Sequence, residues 1–311
     1  MRLSNDADHQ PEDGATPYIG CVIVTYRPSH APLLQQIEAI RSQVDTITLV
    51  DNGDGSDLPV FPEDAGIEII PLGDNFGIAH AQNIGIGRAR DRGASHILLL
   101  DQDSLPAADM VARLIKGLTD LQGARIAVAA VGPQYRDDRQ GMASPFVYRE
   151  GCVLRERPTT EPQPVHVQAD FLIASGCLIP IAVLDAVGDM DEAFFMDYVD
   201  IEWGLRAQYR GFASYGIPAA RMIHSLGDEW IAYKGKRFPV HSPLRHYYYV
   251  RNSILLARRS WTGPEWKFIL IRRMLKQFVF FSFFVPGRRA EHFRMMTLGL
   301  WHGIIKRQGR R

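Results

Sequence analysis

The sequence predicts an α/β fold organised on a mostly parallel, doubly wound sheet, and three observations carry that expectation. Short apolar runs at Ile19–Tyr26 and Ile97–Leu100 have the pattern of strands buried on both faces, and Ile47–Gly53 and Ile67–Ile70 read as two more strands between them. Segments with apolar residues at helical spacing lie between them, giving a βαβ rhythm. Several runs end in hydroxyl or acidic residues, at the carboxyl edge where open α/β sheets bind ligands. A chain of 311 residues, 46% hydrophobic and 23% charged, is ordinary globular material, enough for one large or two modest domains.

Residues 1–17 are polar and read as a disordered lead-in, without the basic start and apolar core of a secretory signal. After the first strand, Leu33, Leu34, Ile37 and Ile40 place a helix over residues 31–42. The second strand stops at Asp51-Asn52-Gly53, where such folds often place an acid for a ribose or base; the triplet is equally good turn chemistry. Asp74–Gly87 reads as a loop entering a helix, which brings Asn75, Gly77 and a phosphate-friendly helix start to the sheet edge. Its glycines fit neither the dinucleotide fingerprint nor the P-loop, so those two site classes are disfavoured.

Ile97-Leu98-Leu99-Leu100-Asp101-Gln102-Asp103-Ser104 is the stretch around which the chain is organised. Alternation sends Asp101 and Asp103 to the same side, and two adjacent carboxylates ionise cheaply only around a cation such as Mg²⁺. The plain alternative is a solvated loop after a strand. Ile126–Pro133 is a further strand, residues 134–164 a long, partly mobile connection, and Phe171–Ile179 a resumed buried run whose Ser175-Gly176 marks a bulge or a close backbone approach. Asp197, Asp200 and Glu202 fall at the start of a helix whose apolar face continues through Leu205 and Tyr209. There the macrodipole favours negative charge, so capping competes with catalysis as their role. His224, after a short strand, suits either a third metal ligand or a neutral hydrogen-bonded histidine.

Cys21, Cys152 and Cys177 show no metal-ligand spacing and no disulfide framework, which points to a reducing compartment. The neutral total conceals a division: residues 1–233 hold 17 Lys and Arg against 33 Asp and Glu, a balance of −16, and residues 234–311 hold 18 against 2, a balance of +16. A basic segment of this kind faces an anionic surface. No nucleic-acid module is recognisable, so anionic lipid is the expected partner. Pro264–Val285 mixes Trp266, Phe268, Ile271 and Leu275 with Lys267, Arg272, Arg273 and Lys276. Its purely apolar part covers residues 278–285, far short of the ~20 needed to cross a bilayer. It reads as a helix lying in the membrane interface or packed on the preceding domain; one face on each satisfies both.

Taken in order, Thr25-Tyr26, Val50-Asp51-Asn52, Asn75-x-Gly77 followed by Asn83, Leu99-Leu100-Asp101-x-Asp103-Ser104 and Phe194-Phe195-Met196-Asp197-Tyr198-Val199-Asp200-Ile201-Glu202-Trp203 resemble the GT-A fold of inverting family 2 glycosyltransferases over residues 18–260. His224-Ser225-Leu226-Gly227-Asp228 and His241-Ser242-Pro243-Leu244-Arg245, with the later Tyr247–Tyr249, Arg251 and Asn252, resemble its dTDP-L-rhamnose-dependent rhamnosyltransferases.

The resemblance implies a catalytic domain over 18–233, its nucleotide-sugar part at 18–132 and its acceptor part at 165–233, followed by a basic helical tail, 234–311. Thr25, Tyr26 and Asp51 would line the base and ribose pocket, with Asn75, Gly77, Gln82 and Asn83 as its wall; many members carry arginine where Gln82 stands. Asp101 would lie near ribose and metal and Asp103 would ligate Mg²⁺ or Mn²⁺. The residues themselves offer His224 as a further ligand, if it is not the neutral hydrogen-bonded histidine, and Arg251 as a cation to neutralise the leaving diphosphate. Asp200 aligns with the catalytic base, although Val199 replaces the usual preceding Glu and Asp197 stands as the alternative. The implied activity is transfer of L-rhamnose, with inversion, to a glycan acceptor carried on a membrane lipid, in cell-surface polysaccharide or O-antigen synthesis. It would take place on the cytoplasmic face of the cell membrane. A UDP- or GDP-hexose donor and a non-catalytic membrane-docking subunit are the competing readings.

Overall fold

A computed structural model describes residues 16–62, 66–137, 143–157, 164–224, 229–233, 236–284 and 288–311. The chain opens with β1 (Ile19–Thr25), α1 (His30–Ile40), β2 (Thr46–Asp51), β3 (Ile67–Pro71), α2 (Ile78–Asp91) and β4 (His96–Asp101). Strands β3, β2, β1 and β4 lie side by side and parallel, as the βαβ rhythm requires. Alternation along β4 explains its unbroken apolar sequence. Ile97 and Leu99 enter the core on one face, and Leu98 and Leu100 enter the core on the other. Helix α2 lies so close to β1 that a Cβ on Gly85 would sit 2.2 Å from Val22 Cγ1.

The second half of the sheet is mixed. After β5 (Ser104–Pro106), α3 (Met110–Gly123) and β6 (Val128–Arg136) come the hairpin β7 (Phe146–Glu150) and β8 (Val153–Arg157), then β9 (Val167–Ala169), β10 (Leu178–Pro180), α4 (Ile181–Val187), α5 (Val199–Tyr209) and β11 (Ala213–His224). The sheet runs β3-β2-β1-β4-β10-β6-β11-β5, with β9 also on β11. β10 is antiparallel to both its neighbours, and β11 is parallel to β6 but antiparallel to β5. β6 and β11 thus keep the direction of the first four strands, and the three-residue strands run against them.

Several expectations are corrected here. The connection 134–164 contains the β7–β8 hairpin, and its residues 138–142 and 158–163 lie outside the described residues, as does 1–15 of the lead-in. Of Phe171–Ile179, only Leu178 and Ile179 are in a strand, and Ser175-Gly176 forms a turn with Gly176 at φ 81°. His224 closes a strand of 12 residues rather than following a short one. Tyr209 is exposed, and Trp203 takes its place on the buried face of α5.

Beyond the backbone hairpin β12 (Glu229–Tyr233) and β13 (Lys236–Val240) lie α6 (Pro243–Ala257), α7 (Pro264–Val279), a π-helical turn (Phe280–Phe284) and α8 (Arg289–Ile304). Helix α6 starts at a favourable cap, Ser242 Oγ accepting from Arg245 N–H at 3.2 Å with proline at the first position. Leu255, Leu256, Trp266, Ile269 and Leu270 join the same core as Val22 and Leu99, so the boundary at 233/234 does not separate two cores. Among the described residues, no helix is long and apolar enough to cross a membrane. α7 does carry two apolar faces: Trp266, Ile269, Leu270 and Met274 are buried, and Phe268, Ile271, Leu275 and Val279 are exposed.

Candidate active site

The strand ends of β1 and β4 open into a cleft of about 340 Å³ lined by Thr25, Tyr26, Asn52, Asn75, Gly77, Asp101, Gln102, Asp103, Phe195, His224 and Arg245 among others. Its first wall is built from amide side chains. Tyr26 N–H donates to Gln102 Oε1 at 2.7 Å and Gln102 Nε2 donates back to Tyr26 O at 3.1 Å, joining the ends of β1 and β4. Asn52 Nδ2 donates to Asn75 Oδ1 at 3.2 Å, and Asn75 Oδ1 also accepts from Gly77 N–H at 3.0 Å. Gly77 is required: its φ is 95°, and a Cβ would fall 2.5 Å from Phe195 O. Beneath the cleft, Thr25 Oγ1 donates to Asp51 Oδ1 at 3.2 Å, while Asp51 Oδ2 is buried without a partner.

The second wall carries the acids. His224, Asp101 and Asp103 each offer a ligand atom, all within 4.8 Å of one another. His224 Nδ1 is 3.2 Å from Asp103 Oδ1, and Nε2 is 3.9 Å from Asp101 Oδ2. The pairing of His224 with Ser104 in the β11–β5 ladder brings them together. A serine pair fixes the corner: Ser104 and Ser175 hydroxyls are 2.5 Å apart, Ser104 Oγ is 2.9 Å from His224 Nδ1, and Asp101 N–H donates to Ser175 Oγ at 3.1 Å. Burial raises the Asp101 pKa, opposed by His224 and reinforced by Asp103. Burial also opposes protonation of His224, but Asp103 and Asp101 outweigh it and hold its pKa above the usual value. Two carboxylates and an imidazole crowded in this way suit a divalent cation. Ser225–Asp228, the rest of that motif, lies outside the described residues.

Asp200 sits in the first turn of α5, its Oδ1 accepting from Ile201 N–H at 2.8 Å. Burial pushes its pKa up to about 6; the hydrogen bond from Ile201 opposes the rise, and the nearby Asp101 and Asp197 charges add to it. The turn before the helix is strained, with Asp197 at φ 59° and Tyr198 at φ 70°. Asn252 clamps it, Nδ2 donating to Met196 O at 2.7 Å and to Asp197 O at 2.8 Å. Asp197 Oδ1 accepts from Arg245 Nε at 3.0 Å, so the alternative base is engaged in an ion pair.

Three expected site residues lie elsewhere. Arg251 is fully buried, donating to the carbonyls of Gly309 and Ala193, and the arginine that lines the cleft is Arg245. Asn83 ties α2 to the segment before α5, Nδ2 donating to Met190 O and to Glu192 Oε1, both at 2.9 Å. Gln82 is buried and, with Asp200, Cys177 and Trp203, lines a separate small cavity that shares no lining residue with the cleft. Sequence reasoning missed Gln102, Ser104, Ser175 and Arg245 as site-builders. All four carried a signal, since each lies in a stretch already singled out.

An Asp-x-Asp corner completed by a histidine, at the strand ends of a mixed sheet, is the arrangement of a GT-A glycosyltransferase. A model of glycosyl transferase family 2 matches residues 21–176. The chain is 35% identical over 243 residues to the dTDP-rhamnosyl transferase RfbF of Shigella flexneri, covering 78% of this chain and 80% of that one. It belongs to glycosyltransferase family 2. Two solved structures share the fold. GalNAc-T7, crystallised with UDP, GalNAc and Mn²⁺, aligns over 93% of this chain with TM-score 0.56 and 12% identity, and this chain spans 56% of its length. TarS 1–349 of S. aureus, in complex with UDP-GlcNAc, aligns over 93% of this chain and 88% of its own at TM-score 0.55 and 10% identity.

Proposed function

We propose that this transferase moves L-rhamnose from dTDP-L-rhamnose to a lipid-linked glycan acceptor at the surface of a membrane. The observation that carries the donor assignment is the 35% identity to a dTDP-rhamnosyl transferase across 78% of the chain. Thr25, Asp51 and the amide-built wall receive the nucleotide; buried Asp51 Oδ2 is an acceptor left over for a donor group of the ligand.

Asp200 takes the proton from the attacking acceptor hydroxyl. Its pKa of about 6 leaves it ionised near neutrality yet basic enough to accept that proton, and such help contributes roughly 10²–10⁴-fold. Asn252 holds the strained turn that aims it. Asp101, Asp103 and His224 would hold Mn²⁺ or Mg²⁺, which supplies positive charge to the departing nucleotide diphosphate. One displacement inverts the anomeric centre, so a β-linked donor yields an α-L-rhamnoside.

For the acceptor, a groove of about 990 Å³ runs beside the cleft, sharing Arg245 with it and bounded by Asp197. Leu275, Val279, Phe280, Phe281 and Phe284 make it apolar, and Arg273 and Lys276 line it as cations. A hydrocarbon chain with an anionic head is the ligand that fits both. The exposed Phe268, Ile271, Leu275 and Val279 stripe of α7 borders this groove and lies in the membrane interface, with the basic residues around it drawn to anionic lipid. A screen of nucleotide-sugars with Mn²⁺ for thermal stabilisation tests the donor: dTDP-rhamnose should raise the melting temperature most. A larger rise with a UDP- or GDP-hexose contradicts it.

A further inference from the structure

The site as described holds carboxylates in excess. Asp101 and Asp103 line a cleft meant for a dianionic diphosphate, and its lining arginine, Arg245, is paired with Asp197. The sequence offered Arg251 as the missing cation, but Arg251 is buried.

What Arg251 does instead points to the replacement. Its guanidinium grips the Gly309 carbonyl, and Gly309 N–H donates to Ala193 O at 3.2 Å, so the segment after α8 is folded back onto the turn that precedes α5. Arg311 N–H donates to Tyr248 Oη at 3.0 Å, and Arg310 pairs with Asp74 at 2.5 Å, next to the Asn75 of the cleft wall. These anchors place Arg307, Arg310 and Arg311 around a second opening of about 610 Å³, whose other walls include Tyr26, Asn75 and Phe195. Those three residues also line the donor cleft. The two openings therefore share a wall, with acids on one side of it and three exposed arginines on the other.

We propose that the segment after α8 is part of the donor site, and that Arg307, Arg310 and Arg311 hold the donor's diphosphate. The inference rests on the reading of the cleft as a nucleotide-sugar site. Guanidinium groups match phosphate geometry with paired hydrogen bonds, and here they enter over the cleft from a segment remote in sequence. It also gives the fully buried Arg251 a purpose: it is the anchor that presents the other arginines.

The test is titration of the full chain with dTDP and with thymidine, in Mn²⁺, for wild type, for the combined Arg307→Gln, Arg310→Gln, Arg311→Gln variant and for the corresponding triple lysine variant. All three residues are exposed, so the melting temperature should hold. The glutamine variant is expected to bind dTDP roughly tenfold or more weakly, to bind thymidine as before and to lose part of the salt dependence of dTDP binding. The lysine variant should recover only the salt-dependent part of the loss, because it keeps the charge without the paired hydrogen bonds. Undiminished dTDP affinity in the glutamine variant, or an equal loss for thymidine, overturns the role of the arginines. A wild-type chain that binds no nucleoside diphosphate at all overturns the nucleotide-sugar reading beneath it.

Discussion

His224 Nδ1 stands 3.2 Å from Asp103 Oδ1 although the two belong to distant parts of the chain, because the last residue of β11 pairs with Ser104. This contact turns the Asp-x-Asp pair into a three-ligand corner. Asp103→Ala should abolish transfer and remove the Mn²⁺ dependence of dTDP binding without unfolding the protein, since Asp103 is 45% exposed. His224→Ala should weaken the same dependence roughly 10- to 100-fold. Titration of dTDP with and without Mn²⁺ checks both, and equal wild-type affinities would remove the basis for the metal site.

Asp200 should behave as a base and not as a binder. Asp200→Asn is expected to lower single-turnover transfer about 10²-fold or more with donor affinity nearly unchanged. Asp197→Asn should cost much less. An active Asp200→Asn beside a dead Asp197→Asn would move the base three residues earlier.

The raised pKa of Asp200 has two pH consequences. Transfer should rise with pH through about 6, as the carboxylate becomes able to accept a proton. Stability moves oppositely: ionisation costs more in the folded than in the unfolded chain, so this group's contribution is lost as pH rises from 3.8 through about 6. Asp200→Asn should therefore melt about 2–4 °C higher than wild type at pH 7 and no higher at pH 4, measured by calorimetry.

Asn252 is a positioning residue. Asn252→Ala removes the donor to two carbonyls in a strained turn, at a cost of about 1–3 kcal/mol, and should lower kcat with little change in donor KM. Asn252→Asp, which loses that donor, should do the same. A drop in stability with kcat intact would confine Asn252 to folding.

The exposed stripe of α7 should be what binds lipid. Leu275→Glu with Val279→Glu is expected to abolish sedimentation with anionic vesicles, and wild-type binding should weaken with salt. Equal wild-type binding to neutral vesicles would contradict the electrostatic part.

Much of this was legible in the sequence, and the exceptions share a cause. β1, β2 and β4 were readable because strands buried on both faces are unbroken apolar runs, and Asp101 and Asp103 because adjacent acids after such a run are costly. The sequence also named His224, but not its route to the site, since β-pairing with Ser104 is a long-range event that periodicity does not encode. Arg251 was misplaced because a conspicuous arginine beside three tyrosines carries the same signal whether it meets a ligand or backbone carbonyls. The β7–β8 hairpin was missed because its exposed strand β8 is charged, Val153-Leu154-Arg155-Glu156-Arg157, and shows no apolar alternation. The +16 balance of residues 234–311 suggested a tail, while the buried faces of α6 and α7 place them in the main core.

The central claim is metal-dependent use of dTDP-L-rhamnose, and release of dTDP from purified enzyme and donor tests it without knowledge of the acceptor. Water can replace the acceptor slowly, so chromatography should detect dTDP formed from dTDP-L-rhamnose in the presence of Mn²⁺. The signal should vanish with EDTA, in Asp103→Ala, and with UDP- or GDP-hexoses as donor. Hydrolysis of a UDP- or GDP-sugar in preference to dTDP-L-rhamnose, or release unaffected by EDTA, would contradict the account.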